Sequence, residues 1–219
     1  MTSLVAFAKQ NLARLLDGND WYALYSLRKH GYLFEMGWFE SYRRKAVVDR
    51  AGTPIPWITY PSLSFLEGRI GKDLAVFEWG SGNSTLWWAD RVMRVVSCEH
   101  DKAWYEKVRN LLPTNAEVSH IPLTGGREYA SAILDYVDAF DIVVIDGRDR
   151  VNCARNVLPA LKPGGVIVWD NSDRSSYQDG YDFLVGSGFR RIDFFGPGPV
   201  NLYSWSTSIF YRDGNCLGL

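Results

Sequence analysis

The residues best suited to chemistry stand in one run, Glu78-Trp79-Gly80-Ser81-Gly82-Asn83-Ser84-Thr85. Two glycines one residue apart let a backbone turn tightly and approach a ligand with no Cβ in the way, and Ser84 can cap the free amides of a helix that opens there. Nineteen residues after Gly80 comes Glu99, followed by His100 and Asp101. An acidic residue about 20 positions beyond such a turn is where a ribose diol is gripped through two accepted hydrogen bonds. The pattern points to a nucleoside held by Glu78, Gly80, Ser81, Gly82, Asn83, Ser84, Glu99 and His100. A purely structural strand-to-helix turn is the plainer reading.

The elements around this run decide its weight. From Leu74 onward, short apolar runs alternate with helical stretches, which is the pattern of βαβ units. Strands are expected at 74–78, 92–98, 116–121, 141–145, 166–169, 191–195 and 206–211, and helices at 84–90, 102–112, 129–136, 151–161 and 181–187. Pro159 should end the fourth of these helices early, and Lys162-Pro163-Gly164-Gly165 should turn into the next strand. The last two strands are joined through Gly196-Pro197-Gly198-Pro199 without a helical pattern, so they must pair antiparallel. The fold class is α/β, a mostly parallel sheet ending in an antiparallel hairpin. The glycine run then opens the first βα turn, where open α/β sheets place their ligands. Two cosubstrates fit, a dinucleotide and S-adenosylmethionine. Thr85 stands where a dinucleotide fingerprint wants Gly or Ala and no second βαβαβ half follows, which favours the second.

Before this domain, residues 2 to about 50 read as helical, with Leu4, Ala8, Leu12 and Leu15/Leu16 at helical spacing and Gly18 as a stop. Three prolines keep 53–61 out of a helix. The chain divides into a helical cap with a proline-rich arm (1–70) and a cosubstrate-binding domain (71–219). Trp57 and Tyr60 on the arm, with Arg174 and Tyr177 after the fifth strand, are candidates for an acceptor site; packing is the alternative for the first two.

Composition narrows the classes. With 219 residues, 47% apolar and 22% charged, the chain is an ordinary folded protein. Twenty-four Lys and Arg against 25 Asp and Glu give a net charge of −1, which disfavours bulk nucleic-acid binding. The run Arg43-Arg44-Lys45 reads as a solvated helix face. Cys98, Cys153 and Cys216 are too scattered for a disulfide framework or a zinc site. Only five consecutive apolar residues precede Lys9, no basic leader is present, and no apolar run approaches the ~18 residues of a membrane span, so no membrane association and a cytoplasmic location are expected. There is no GxSxG, HExxH or P-loop; Gly68-Arg69-Ile70-Gly71-Lys72 has the wrong spacing.

Over about residues 72–212 the sequence resembles the class I S-adenosylmethionine-dependent methyltransferases. The resemblance rests on Phe77 to Thr85, on Val96-Ser97-Cys98-Glu99, on Phe140 to Gly147 and on Leu161 to Val166, in that order. It implies a Rossmann-like sheet and methyl transfer to a small or medium acceptor, with oxygen the expected acceptor atom. An NAD-type oxidoreductase and a non-catalytic nucleoside-binding protein on the same fold are the alternatives. The family's sheet order also makes the ends of the fourth and fifth strands neighbours, so Asp146, Asp170 and Asn171 are expected to converge. A similar trio holds magnesium in the catechol-type O-methyltransferases, which implies a metal here and a catalytic role for Asp146; carboxylates bonded to loop amides or facing the cosubstrate are the other reading. That group has a lysine three residues after the first Asp, where this chain has Asp149, preceded by Arg148.

Overall fold

The computed structural model describes residues 18–123 and 128–219. Seven strands form one sheet: β1 (Ala75–Trp79), β2 (Arg94–Glu99), β3 (Ala116–His120), β4 (Phe140–Ile145), β5 (Leu161–Asp170), β6 (Arg190–Gly196) and β7 (Trp205–Tyr211). Their order is β3-β2-β1-β4-β5-β7-β6. The first five strands are parallel, and β7 lies antiparallel between β5 and β6. The expected Rossmann-like class I methyltransferase sheet with its terminal hairpin is thus present.

The central strands are apolar on both faces because both faces are covered. Phe77, Trp79, Val143, Ile145, Ile167 and Trp169 point into one core. Val76, Ile142, Val144, Val166 and Val168 alternate with them into the other. The edge strands β3 and β6 are only half-buried.

Helices before the sheet are α1 (Gly18–Lys29), α2 (Tyr32–Glu35), α3 (Trp38–Arg44) and α4 (Tyr60–Glu67); those within it are α5 (Asn83–Arg91), α6 (Lys102–Arg109), α7 (Glu128–Ser131), α8 (Arg150–Asn156) and α9 (Gln178–Gly186). The expected repeat of Leu4, Ala8, Leu12 and Leu15/Leu16 lies outside the described residues. Gly18, expected as a stop, is the first of the described residues and the first residue of α1. Tyr60 and Pro61 open α4, because proline is tolerated in a helix's first turn, where its missing N–H would have no partner. Ile55, Ile58, Tyr60, Leu63 and Leu66 are buried in the same core as Val76 and Trp88. Arg43 and Arg44, on the exposed last turn of α3, both pair with Glu40.

Two further differences have local causes. β5 begins at Leu161 rather than Val166, yet its register with β4 jumps from Phe140↔Leu161 to Ile142↔Val166. Lys162–Gly165 therefore bulges out of the ladder, which is how the strand accommodates Pro163. The stretch expected as one helix over 129–136 is α7 followed by a 3₁₀ turn at Ala132–Asp135. Helix α8 ends at Asn156, before Pro159, as the proline requires.

Candidate active site

The carboxyl ends of β1, β2, β4 and β5 open into one cavity of about 350 Å³. On its floor, Gly80 adopts φ +95°, and a Cβ there would meet the Gly147 amide at 3.3 Å. The first glycine is thus required by backbone handedness and by the close approach of the loop after β4. Ser84 is not the cap of α5. It stands at the helix's second position and lines the cavity, while the Thr85 hydroxyl accepts from the Gly82 amide at 3.0 Å.

Thr85 also donates to Glu78 Oε2 at 2.6 Å. Glu78 is 1% exposed, and its Oε1 is buried without a hydrogen-bond partner. Burial pushes its carboxyl up to about 7, the Ser84 and Thr85 hydroxyls pulling part of the way back. Glu99, buried at the end of β2, accepts from the His100 and Asp101 amides through Oε1 at 2.7 and 2.9 Å, and from the Ser81 amide and hydroxyl through Oε2 at 3.3 Å. His100 Nδ1 stands 2.7 Å from Oε1. Backbone amides therefore hold this carboxylate in one orientation before any ligand arrives. Of the eight expected cosubstrate residues, Glu78, Gly80, Ser81, Ser84, Glu99 and His100 line the cavity. Gly82 stands beneath the Trp104 ring, whose Nε1 donates to the Ser81 carbonyl at 2.7 Å. Asn83 turns away to donate to the Val47 carbonyl.

Asp146 and the pair Asp170-Asn171 line the same cavity from adjoining strands, so they converge as expected. Sequence reading passed over the side chain that organises them. Arg150, 8% exposed at the start of α8, donates to the Gly147 carbonyl at 3.0 Å, the Asp146 carbonyl at 2.9 Å, Asp146 Oδ1 at 3.0 Å and the Asp170 carbonyl. Asp170 Oδ1 accepts from Trp205 Nε1 at 2.8 Å and Thr207 Oγ1 at 2.6 Å. Burial raises the Asp146 carboxyl to about 6, Arg150 opposing, and the Asp170 carboxyl to about 7, with the Asp146 charge adding and the two β7 hydrogen bonds opposing.

This trio does not fit a magnesium ion. A guanidinium already lies against Asp146 and bridges the two strand ends, and one Asp170 oxygen is engaged twice. A divalent cation there would face the arginine's charge at short range. Among the described residues no group of three His, Cys, Asp or Glu is arranged to hold a metal.

Of the expected acceptor-site residues, Trp57 and Arg174 line the cavity. Tyr60 does not; it is fully buried beneath Tyr32. Tyr177 lies outside the lining and accepts a 3.2 Å hydrogen bond from Arg174. Asp149 is exposed, bonded to the Asn152 amide. Arg148, Asn201, Tyr203 and Trp205 complete the far wall. The cysteines are free, and no helix among the described residues is long and apolar enough to cross a membrane.

Residues 77–172 match the model of a family described as a methyltransferase domain. No curated protein matches the chain. Among solved structures, a precorrin-6y C5,15-methyltransferase from Geobacter metallireducens is 16% identical over 69% of this chain and 88% of its own, with a TM-score of 0.52. A provisionally assigned methyltransferase from Streptococcus mutans, solved with S-adenosylhomocysteine, is 15% identical over 71% and 99%, with a TM-score of 0.51. A provisionally assigned O-methyltransferase from Klebsiella pneumoniae is 16% identical over 91% and 98%, with a TM-score of 0.53. With this sheet order and this matched segment, the chain has the Rossmann-like methyltransferase fold, and its residues 77–172 are similar to a methyltransferase domain family.

Proposed function

We propose that the domain transfers a methyl group from S-adenosylmethionine to a hydroxyl oxygen of a small-molecule acceptor. The observation that carries this reading is that Asp146, whose carboxyl burial raises to about 6, shares one cavity with the glycine turn and Glu99. The buried, unpartnered Glu78 Oε1 supports the donor assignment, since it is an acceptor left over beneath the loop and suits the donor's ammonium group. The sulfonium supplies an already good methyl donor. The protein's own residues orient and deprotonate. Glu99 accepts from the ribose hydroxyls, Gly80 to Ser84 shape the turn around the nucleoside, and Asp146 takes the acceptor's proton, a carboxylate raised to about 6 being a stronger base than an ordinary one. The coverage of the Klebsiella pneumoniae structure, 91% of this chain, supports oxygen as the acceptor atom.

S-adenosylhomocysteine at 100 times its Kd should add roughly 2.7 kcal/mol of stability, a rise in melting temperature of roughly 5 to 10 °C, while NAD gives none. A shift with NAD alone would end the methyltransferase reading. Transfer of labelled methyl to a panel of phenols should then rise with pH through about 6 and persist in EDTA. Binding of S-adenosylhomocysteine with no transfer to any acceptor would favour a non-catalytic nucleoside-binding role.

A further inference from the structure

The four carboxylates of the cavity all have partners: Glu78 has Thr85, Glu99 has backbone amides, Asp146 has Arg150, and Asp170 has Trp205 and Thr207. Arg150 is in turn fully engaged. The other two arginines of the lining, Arg148 and Arg174, are not matched in this way. The Arg174 guanidinium donates to the Tyr177 hydroxyl at 3.2 Å, stands 5.9 Å from its ring centre, and reaches Asp146 through its charge but makes no hydrogen bond to it. Among the described residues the Arg148 guanidinium meets no carboxylate, hydroxyl or carbonyl. Both are exposed to solvent on their outer side and line the cavity on their inner side.

The same wall carries flat side chains that folding leaves uncovered. Trp57 is 45% exposed and Tyr203 is 65% exposed, with Trp205 buried 6.0 Å behind Tyr203. Sheet order sets Arg174 well apart from Glu99, while Arg148, after β4, stands one strand from Gly80. Glu99 ends β2 and Gly80 follows β1, whereas Arg148 follows β4 and Arg174 follows β5. At about 4.8 Å per strand, β2 and β5 are some three spacings, roughly 14 Å, apart.

We propose that the acceptor is an anion, a carboxylate or phosphate carried on a flat apolar body, with Arg148 and Arg174 binding the anionic group and Trp57 and Tyr203 the body. This specifies the acceptor class and rests on the methyl-transfer reading above. Guanidinium forks suit both anions, since each offers paired oxygens to two parallel N–H donors. The exposed rings supply the apolar contact that fixes the rest of the molecule. An acceptor without a negative charge would leave the Arg148 cation desolvated and unpaired, and Arg174 facing only the Asp146 charge it shares with Arg150, as it filled the cavity.

Benzoate, phenyl phosphate and benzyl alcohol are simple probes, titrated by ligand-observed NMR into protein with and without S-adenosylhomocysteine. Benzoate and phenyl phosphate should bind at least tenfold more tightly than benzyl alcohol, and the tighter of the two names the anion. The double variant Arg148→Ala/Arg174→Ala, and its glutamine counterpart, should lose tenfold or more for the anions while keeping S-adenosylhomocysteine affinity within twofold. Equal binding of benzoate and benzyl alcohol, or undiminished anion binding by the double variants, overturns the proposal. A tenfold loss of S-adenosylhomocysteine affinity instead gives the arginines to the donor's carboxylate and also overturns it. Failure of the unaltered protein to bind S-adenosylhomocysteine strikes the donor reading alone, and the titration without it still decides the anion.

Discussion

The two ends of the cavity are built by different means. At the proposed nucleoside end, Glu99 is oriented by amides and a hydroxyl drawn from residues 81, 100 and 101, all within the first two βα turns. At the proposed acceptor end, Asp146 and Asp170 are organised by one arginine and by two side chains 35 and 37 residues beyond Asp170. A site fixed by backbone is insensitive to most side-chain changes. A site fixed by a single buried cation fails with it.

The sharpest way to break that contrast is Arg150→Ala. Removing one member of a largely buried pair leaves Asp146 uncompensated and costs about 3 to 5 kcal/mol, to be read from urea unfolding. Arg150→Lys should restore only part of it, because one ammonium cannot span the Gly147, Asp146 and Asp170 carbonyls together. A loss below about 1 kcal/mol would mean that the acceptor end is held some other way.

Next in size is a pH effect at the nucleoside end. Glu78 has a folded value raised to about 7 from an ordinary 4.5, so the folded protein binds this proton more tightly than the unfolded chain. The associated stability is complete below about pH 4.5 and is lost as pH rises to about 7, up to about 3 kcal/mol in all. Glu78→Gln should flatten that portion of the stability profile and weaken S-adenosylhomocysteine binding. An unchanged profile would show that Glu78 is not the buried acid of this site.

Glu99→Ala should weaken S-adenosylhomocysteine binding tenfold or more, as charge-assisted hydrogen bonds worth about 1.5 to 3 kcal/mol each are lost, with the circular dichroism spectrum unchanged. Calorimetry showing equal affinity would dismiss the ribose assignment. The smallest effect expected is from Trp104→Phe. It removes a single hydrogen bond to the Ser81 carbonyl from a half-exposed ring, worth about 0.5 to 1.5 kcal/mol, so affinity should fall only a few-fold. A larger fall would mean that the turn depends on this side chain as the acceptor end depends on Arg150.

The same contrast explains what could be read from residues in order. Gly80 and Glu99 announce themselves because a turn with positive φ and the proposed ribose grip demand particular residue types at a set spacing, and the strand pattern around them is repetitive. Thr85 registered only as a departure from a dinucleotide fingerprint, although it secures both Glu78 and the Gly82 amide. Ser84, the apparent cap, faces the cavity instead. Arg150 carried no motif, because its four acceptors are mostly backbone carbonyls, which any sequence provides. Nothing near Asp170 in the chain foretells Trp205 and Thr207; only the antiparallel insertion of β7 beside β5 brings them there.

That insertion also sets a schedule for folding. Thr207 donates to Asp170 and accepts from the Thr59 amide at 3.1 Å, while Thr59 Oγ1 donates to the Phe194 carbonyl at 2.9 Å. The arm that carries Trp57 is thus anchored to strands 135 and 148 residues downstream. During synthesis, β1 and β2 can pair as soon as residues 75–99 have emerged, but Asp170 lacks its partners and the arm lacks its dock until β7 is made. A chain halted before Trp205 would carry the nucleoside turn without a finished acceptor wall. The cavity is therefore completed last at the side proposed to hold the acceptor.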